Sequence, residues 1–208
     1  MGRGALIVLE GCDRAGKSTQ VKMLANALQL LGIPTETRQF PNRSTDIGGV
    51  INEYLTHKKE YPPETIHLLF AANRWEYSKE IERILKAGTT IIVDRYAASG
   101  AAYAAANTGK DISWCKNPDK GLPAPDLVAY LKIDEESQKS RCGWANERYE
   151  KVEFQKKVAE NFSKLVEATW KIIETGDVEQ THSMILEAAT HIVKSVGNCP
   201  LNKLYEPC

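Results

Sequence analysis

Residues 11–19 read GCDRAGKST, and the residue types in that short run suit a polyphosphate. Gly11 and Gly16 permit backbone angles closed to other residues, so successive amide N–H groups can turn into one concave nest. Lys17 brings a mobile point charge to the outer phosphates, and the Ser18 hydroxyl suits a magnesium ion bridging their oxygens. Asp13 and Arg14 add an acid and a permanent cation beside the nest. Arg14 can there neutralise charge developing on a phosphoryl group in transfer. A solvated Asp–Arg pair on an exposed turn is the plainer alternative, and energetically a small one.

The pattern G-x-x-x-x-G-K-S carries weight only between a strand and a helix. Leu6, Ile7, Val8 and Leu9 form the apolar run of a buried strand, closed by Glu10. Val21, Leu24, Ala25, Leu28 and Leu31 then recur at helical spacing. The start of that helix adds unpaired donors and the positive end of its dipole. Strand, loop and helix agree, which a chance Gly-containing turn beside a surface lysine does not require. Gly32 and Pro34 mark the helix end.

Further along, the residues able to do chemistry collect at the ends of expected strands, where doubly wound α/β sheets gather their ligands. A second strand over 35–40 ends at Phe40 and is followed by Arg43, a candidate for a phosphate or carboxylate and equally an ordinary surface arginine. Ser44 or Thr45 can cap a helix over 46–57, and a long helix is expected over 64–86. The long helix carries Phe70 and Arg74 four apart, hence on one face. An aromatic plane beside a five-donor fork suits a nucleobase, although a core Phe and a surface Arg satisfy the same spacing. The third strand, 89–93, delivers Asp94, placed to hold magnesium or its waters, and Arg95, placed to clamp a second phosphate.

Tyr103 interrupts a small-residue helix over 101–106, either as a pocket wall or as core packing. Residues 107–125 are turn-rich and expected to wrap the surface before a fourth strand, 127–131. Asp134 caps a helix running into Arg141. The polar run over about 141–150, with Glu147, Arg148 and Tyr149, reads as a mobile lid or as a charged surface loop. A helix over 151–168, a fifth strand at 170–173, a last helix over 178–196 and a loosely ordered tail over 197–208 complete the chain. Strands alternating with helices mean α/β: one domain over 1–208, with a five-stranded parallel sheet flanked by helices on both faces.

Composition narrows the partners. Lys and Arg total 27, as do Asp and Glu, so the formal net charge is zero, which argues against a broad sequence-independent surface for nucleic acid. No window reaches the length of a membrane span and no signal peptide opens the chain. Leu6 stands where a myristoylation pattern wants Ser or Thr, and Cys208 leaves no room for a prenylation box. The five cysteines are scattered without a CxxC and read as free thiols in a reducing compartment. Cys12 lies in the phosphate loop, so its alkylation is expected to block nucleotide binding. The expectation is a soluble cytoplasmic protein, with the nucleus also open to it.

An N-K-x-D guanine reader is missing, and a short phosphate-loop domain with a second cluster of arginines suggests a kinase acting on a small acceptor. Residues 10–20 (EGCDRAGKSTQ), 40–43 (FPNR), 69–76 (LFAANRWE) and 93–103 (VDRYAASGAAY), taken together, resemble the thymidylate kinases. The resemblance runs from Gly4 to about Val196 and implies a P-loop NTPase fold with a lid. Gly11, Arg14, Ala15, Gly16, Lys17, Ser18 and Thr19 then hold ATP, with Arg141 from the lid, and Ser18 and Asp94 serve Mg²⁺, Asp94 through water. Asp13 contacts the acceptor's 3′-hydroxyl, while Arg43 and Arg95 clamp its monophosphate.

Phe70 stacks on thymine, Arg74 meets its O4 edge, and Ser99 and Gly100 line the base pocket beside Phe40. Tyr103 crowds the 2′ position, and Tyr149 and Gln155 lie near the acceptor. Lys17, Arg14, Asp13, Asp94 and Arg95 form the implied catalytic set. An Arg within the phosphate loop resembles the eukaryotic branch, and the family implies a homodimer paired through helices. The reaction implied is transfer of the ATP γ-phosphoryl group to dTMP. A kinase for another nucleoside monophosphate is the nearest rival, against which Phe70, Arg74 and Tyr103 speak. A non-enzymatic nucleotide switch is the other, against which Arg43 and Arg95 speak.

Overall fold

Five strands, β1 (Leu6–Glu10), β2 (Thr35–Gln39), β3 (Thr90–Asp94), β4 (Leu127–Lys132) and β5 (Trp170–Glu174), pair in parallel in the order β2-β3-β1-β4-β5. The computed structural model describes residues 2–140 and 147–206. Every residue of β1 and β3 is buried, whereas β2 lies at the edge and keeps its polar residues outward, which explains its weak alternation. β1 has β3 on one side and β4 on the other, so the strand order reverses there and a crevice opens at the carboxyl ends. The register levels those ends, with Leu9 opposite Asp94 and Glu10 opposite Tyr130.

Alternate side chains of β1 serve the two faces. Ile7 and Leu9 pack with Leu24 and Leu28 of α1 (Lys17–Leu30) and with Ile185 and Ala189 of α9 (Val178–Ser195). Leu6 and Val8 pack with Ile81 and Leu85 from α4 (Ser78–Lys86), below Phe40 and Tyr96. A third cluster joins Ala101 and Ala102 of α5 (Ala97–Thr108) to Val158 and Phe162 of α8 (Val152–Leu165). Thr45 caps α2 (Asp46–Leu55) by accepting from the Gly48 amide, and Asp134 caps α7 (Glu135–Ser140) by accepting from Ser137. No helix among the described residues is long and apolar enough to cross a membrane.

Three expectations need correction. The helix over 64–86 is two helices, α3 (Pro63–Trp75) and α4, with a break at Glu76–Tyr77 where the Tyr77 amide bonds back to Arg74. Ile81 and Leu85 face the sheet, while Ile66 packs with α2, and one straight axis cannot serve both surfaces. Residues 107–125 do more than wrap the surface: they hold α6 (Ile112–Lys116) and a 3₁₀ turn, Asn117–Asp119, and bury Cys115, Asp119 and Leu122 completely. The tail is held too. Leu204 exchanges backbone hydrogen bonds with Gly121 and Leu122, the Ala124 amide donates to Asn202, and Leu201 and Leu204 pack against the sheet cluster.

The phosphate loop rests on α1, so packing beneath it is testable. Leu24 is fully buried between α1 and the sheet. Leu24→Ala is expected to cost about 2–5 kcal/mol of unfolding free energy, read as a lower urea midpoint at unchanged slope. A smaller loss would show that the neighbouring helices collapse into the space.

Candidate active site

The phosphate loop is built by backbone constraint. Gly16 begins α1 in the left-handed region, at φ 91°. A Cβ on Gly11 would sit 2.5 Å from the Leu131 carbonyl oxygen of β4, so only glycine lets the loop lie this close to the sheet. Arg14 and Arg95 also occupy the left-handed region, at φ 67° and 65°, a strained conformation that persists because the surroundings enforce it. Lys17 is 5 % exposed and donates from Nζ to the Cys12 carbonyl at 2.7 Å. Burial, reinforced by the charge of Arg95, pulls its pKa down to about 8 against the opposing fields of Asp94 and Asp13. The Cys12 thiol is buried and burial pushes its pKa up to about 11, which speaks against the reactivity expected of it.

Beside Lys17, the exposed Ser18 donates from Oγ to Oδ2 of the buried Asp94 at 2.5 Å. A hydroxyl from the first turn of α1 and a carboxylate at the end of β3 are hard oxygen donors that fit Mg²⁺, which prefers few protein ligands, waters and substrate phosphates. Among the described residues no cluster of three His, Cys, Asp or Glu forms a cage that would dispense with those other ligands.

The loop is joined to the neighbouring cleft through Asp13. One oxygen of its carboxylate accepts from Arg95 at 2.5 Å and the other from Nε2 of Gln155 at 2.6 Å. Gln155 returns Oε1 to the Asp13 amide at 2.9 Å, and Gln138 donates to the Asp13 carbonyl at 2.8 Å. Arg95 also donates to the Gly11 carbonyl and to Ser99 Oγ, with its guanidinium 5.2 Å from the Tyr103 ring centre. Burial works against the charge of Arg95, but the fields of Tyr103, Asp13 and Asp94 outweigh it, so it stays protonated.

The cleft has a volume of about 810 Å³ including its open mouth. Asp13 and Arg95 lie at its floor, with Ser99, Gly100 and Tyr103 of α5 along one side. Phe70 and Arg74 of α3 also line it, with the Arg74 guanidinium against Gly100, as do Phe40, Arg43 and Tyr149. Arg43 holds Glu147 bidentately at 2.7 and 3.0 Å, so the cleft mouth presents a carboxylate gripped by the fork expected to take a phosphate. Tyr149 stacks on Phe154 at 4.8 Å and meets Tyr103 edge-on. Gln155 lies beneath Asp13 and holds it. Arg141 and the greater part of the lid fall outside the described residues.

Sequence reasoning missed three supports. Glu10 is fully buried, and its carboxylate accepts from the amides of Tyr96 and Ser99 and from Ser99 Oγ at 2.9, 3.0 and 2.5 Å. Burial raises its pKa, and the Ser99 hydrogen bonds oppose the rise. It thereby starts α5 four residues earlier than the small-residue run suggests (97 against 101) and aims Ser99. A carboxylate ending a fully apolar strand was the available signal. Gln138 and Asp119, which binds Arg74, carried none, because nothing in their spacing relates them to their partners.

A parallel sheet whose strand order reverses, with a glycine-shaped loop, a buried lysine and a second, arginine-lined cleft, defines a P-loop phosphoryl-transfer domain. The thymidylate kinase family model matches residues 9–185. The thymidylate kinase of Arabidopsis thaliana is 51 % identical, covering 92 % of this chain and 73 % of the plant protein. That of Danio rerio is 42 % identical over 98 % of both chains, and that of Homo sapiens 41 % over 98 % of both. A solved thymidylate kinase of Candida albicans superposes with a TM-score of 0.89 at 38 % identity, covering 98 % of this chain and 99 % of that one. The chain belongs to the thymidylate kinase family.

The depressed pKa of Lys17 has a consequence for the donor site. Polyphosphate binds the protonated form, so affinity for ATP is expected to hold steady below about pH 8 and weaken above it, as the unliganded enzyme loses that proton. Titration calorimetry across that range checks this, and a flat profile removes Lys17 as the responsible group.

Proposed function

We propose that the cleft transfers the γ-phosphoryl group of ATP to the 5′-phosphate of dTMP, giving dTDP and ADP, the donor lying on the phosphate loop and the acceptor in the cleft beside it. The observation that carries this reading is the Asp13–Arg95 junction, which sets an acceptor clamp directly against the phosphate loop. A nucleotide switch has no use for a second, arginine-lined cleft at that place.

The loop amides and Lys17 hold the β- and γ-phosphates, and Gly11, Ala15, Gly16, Ser18 and Thr19 shape the nest. Arg95 and Arg43 orient the acceptor phosphate, with Arg43 exchanging its Glu147 partner for the substrate. Asp13 takes the 3′-hydroxyl, Phe70 stacks on the base and Arg74 donates to its 4-oxo edge. Phe40, Gly100, Tyr103 and Tyr149 wall the sugar and base, and Ser99 lines the base pocket. Ser18 and Asp94 would hold Mg²⁺, which would supply charge neutralisation on the donor phosphates. The acceptor oxygen is already ionised, so this chain supplies position and positive charge rather than a base. The family resemblance points further to a homodimer paired through helices, working in the cytoplasm with the nucleus also open to it.

Coupled ADP release with dTMP, dUMP, dGMP, dAMP, CMP and UMP tests the reaction. Turnover is expected with dTMP far above the rest, and equal turnover on dGMP would remove the reading of the base pocket. Arg14→Ala is expected to lower kcat by about 10³ or more, the scale of an arginine finger, with dTMP affinity little changed. An effect confined to KM would take Arg14 out of the transferring site.

A further inference from the structure

Arg74 is 3 % exposed and Asp119 fully buried. Asp119 grips the guanidinium through two parallel hydrogen bonds, Nε to Oδ1 at 2.8 Å and the NH2 nitrogen to Oδ2 at 2.7 Å. On its other side the fork lies against α5, where a Cβ on Gly100 would come within 2.5 Å of the NH2 nitrogen. Two bonds to one edge of a planar fork fix its rotation as well as its position. The NH1 edge is left to the cleft that Arg74 lines beside Phe70.

Asp119 is in turn held from two directions. Trp75, next to Arg74 on α3, donates from Nε1 to the Pro118 carbonyl at 2.7 Å, tying the turn to the helix it serves. The C-terminal segment closes the other side. The Gly121 amide donates to the Leu204 carbonyl at 3.0 Å, Leu204 donates back to Leu122 at 2.8 Å, and the Lys116 ammonium sits 4.1 Å from the Tyr205 ring centre.

We propose that Asp119 is a positioning residue for base recognition, held by the C-terminal segment, which sets the Arg74 fork so that it donates to a 4-oxo pyrimidine and opposes a 4-amino one. This rests on the role of Arg74 given above. A donor that cannot rotate away leaves a 4-amino group facing N–H against N–H in a buried site, where an unmade hydrogen bond is costly. An arginine without Asp119 has freedom to retreat and loses that rejection. The pair therefore makes residues 199–206, remote from the reacting phosphates, part of the specificity apparatus.

The test compares kcat/KM for dTMP with that for 5-methyl-dCMP, which differ at the 4-position and in the N3 proton. That ratio is independent of the fraction of active enzyme, so partial misfolding alone leaves it unmoved. Asp119→Asn is expected to lower it about tenfold or more, through a higher KM for dTMP together with a higher kcat/KM for 5-methyl-dCMP. Leu204→Ala keeps the buried carboxylate but loosens its turn, and is expected to shift the ratio in the same direction by less. It is the deciding variant if Asp119→Asn does not fold. Arg74→Gln is the reference. If it lowers the ratio while the Asp119 and Leu204 variants leave it unchanged, the positioning role is overturned and base reading by Arg74 stands. If Arg74→Gln itself leaves the ratio unchanged, base reading fails and the positioning role falls with it.

Discussion

The meeting of Asp13 and Arg95 is the contact on which the site's geometry depends. It links a loop after β1 to a residue after β3, and so ties the phosphate loop to the neighbouring cleft. Both side chains are largely withdrawn from solvent, and removing either one leaves the other as a poorly compensated charge. Gln155 takes the carboxylate oxygen that Arg95 leaves, while Gln138 holds the Asp13 backbone carbonyl, so side chain and backbone are fixed together. For a transfer that needs little covalent chemistry from the protein, such rigidity between donor and acceptor sites is the main catalytic resource.

The same device recurs around the cleft. Glu10 spends its carboxylate on the first amides of α5 and thereby aims Ser99, while Asp119 spends its own on Arg74. Each is a buried acid whose desolvation is offset by hydrogen bonds from a residue that faces the cleft. Ser99 and Arg74 of the cleft are thus set by acids that are themselves fully buried. The backbone contributes equally: the left-handed conformations of Arg14 and Arg95 aim two cations at places a relaxed chain would not send them.

Much of this was legible from residue types. The loop at 11–19, its strand and its helix were readable because glycine, lysine and apolar periodicity act locally, through backbone freedom and one buried face. Asp94 and Arg95 stood out because a polar pair closing an apolar strand has few other uses. Arg43, Phe70, Arg74 and Tyr103 stayed ambiguous on spacing alone and gained meaning only from the resemblance of whole motifs in order. The long helix over 64–86 was misread because its apolar positions fit one continuous period, while the two halves face different surfaces. The tail looked loose because its hydrogen bonds are backbone contacts to a turn some eighty residues away (Gly121 to Leu204), a relation that no local pattern records.

By itself, then, the sequence determined the alternation of strands and helices, the phosphate nest and the set of cations from which a kinase site can be drawn, since these follow from interactions within a few residues. Tertiary structure alone decided the strand order that places β3 and β4 on either side of β1, the junction of Asp13 with Gln155, and the capture of Arg74 by Asp119. Those outcomes join residues far apart in the chain. They depend on which faces are buried together and which charges must be neutralised once water is gone.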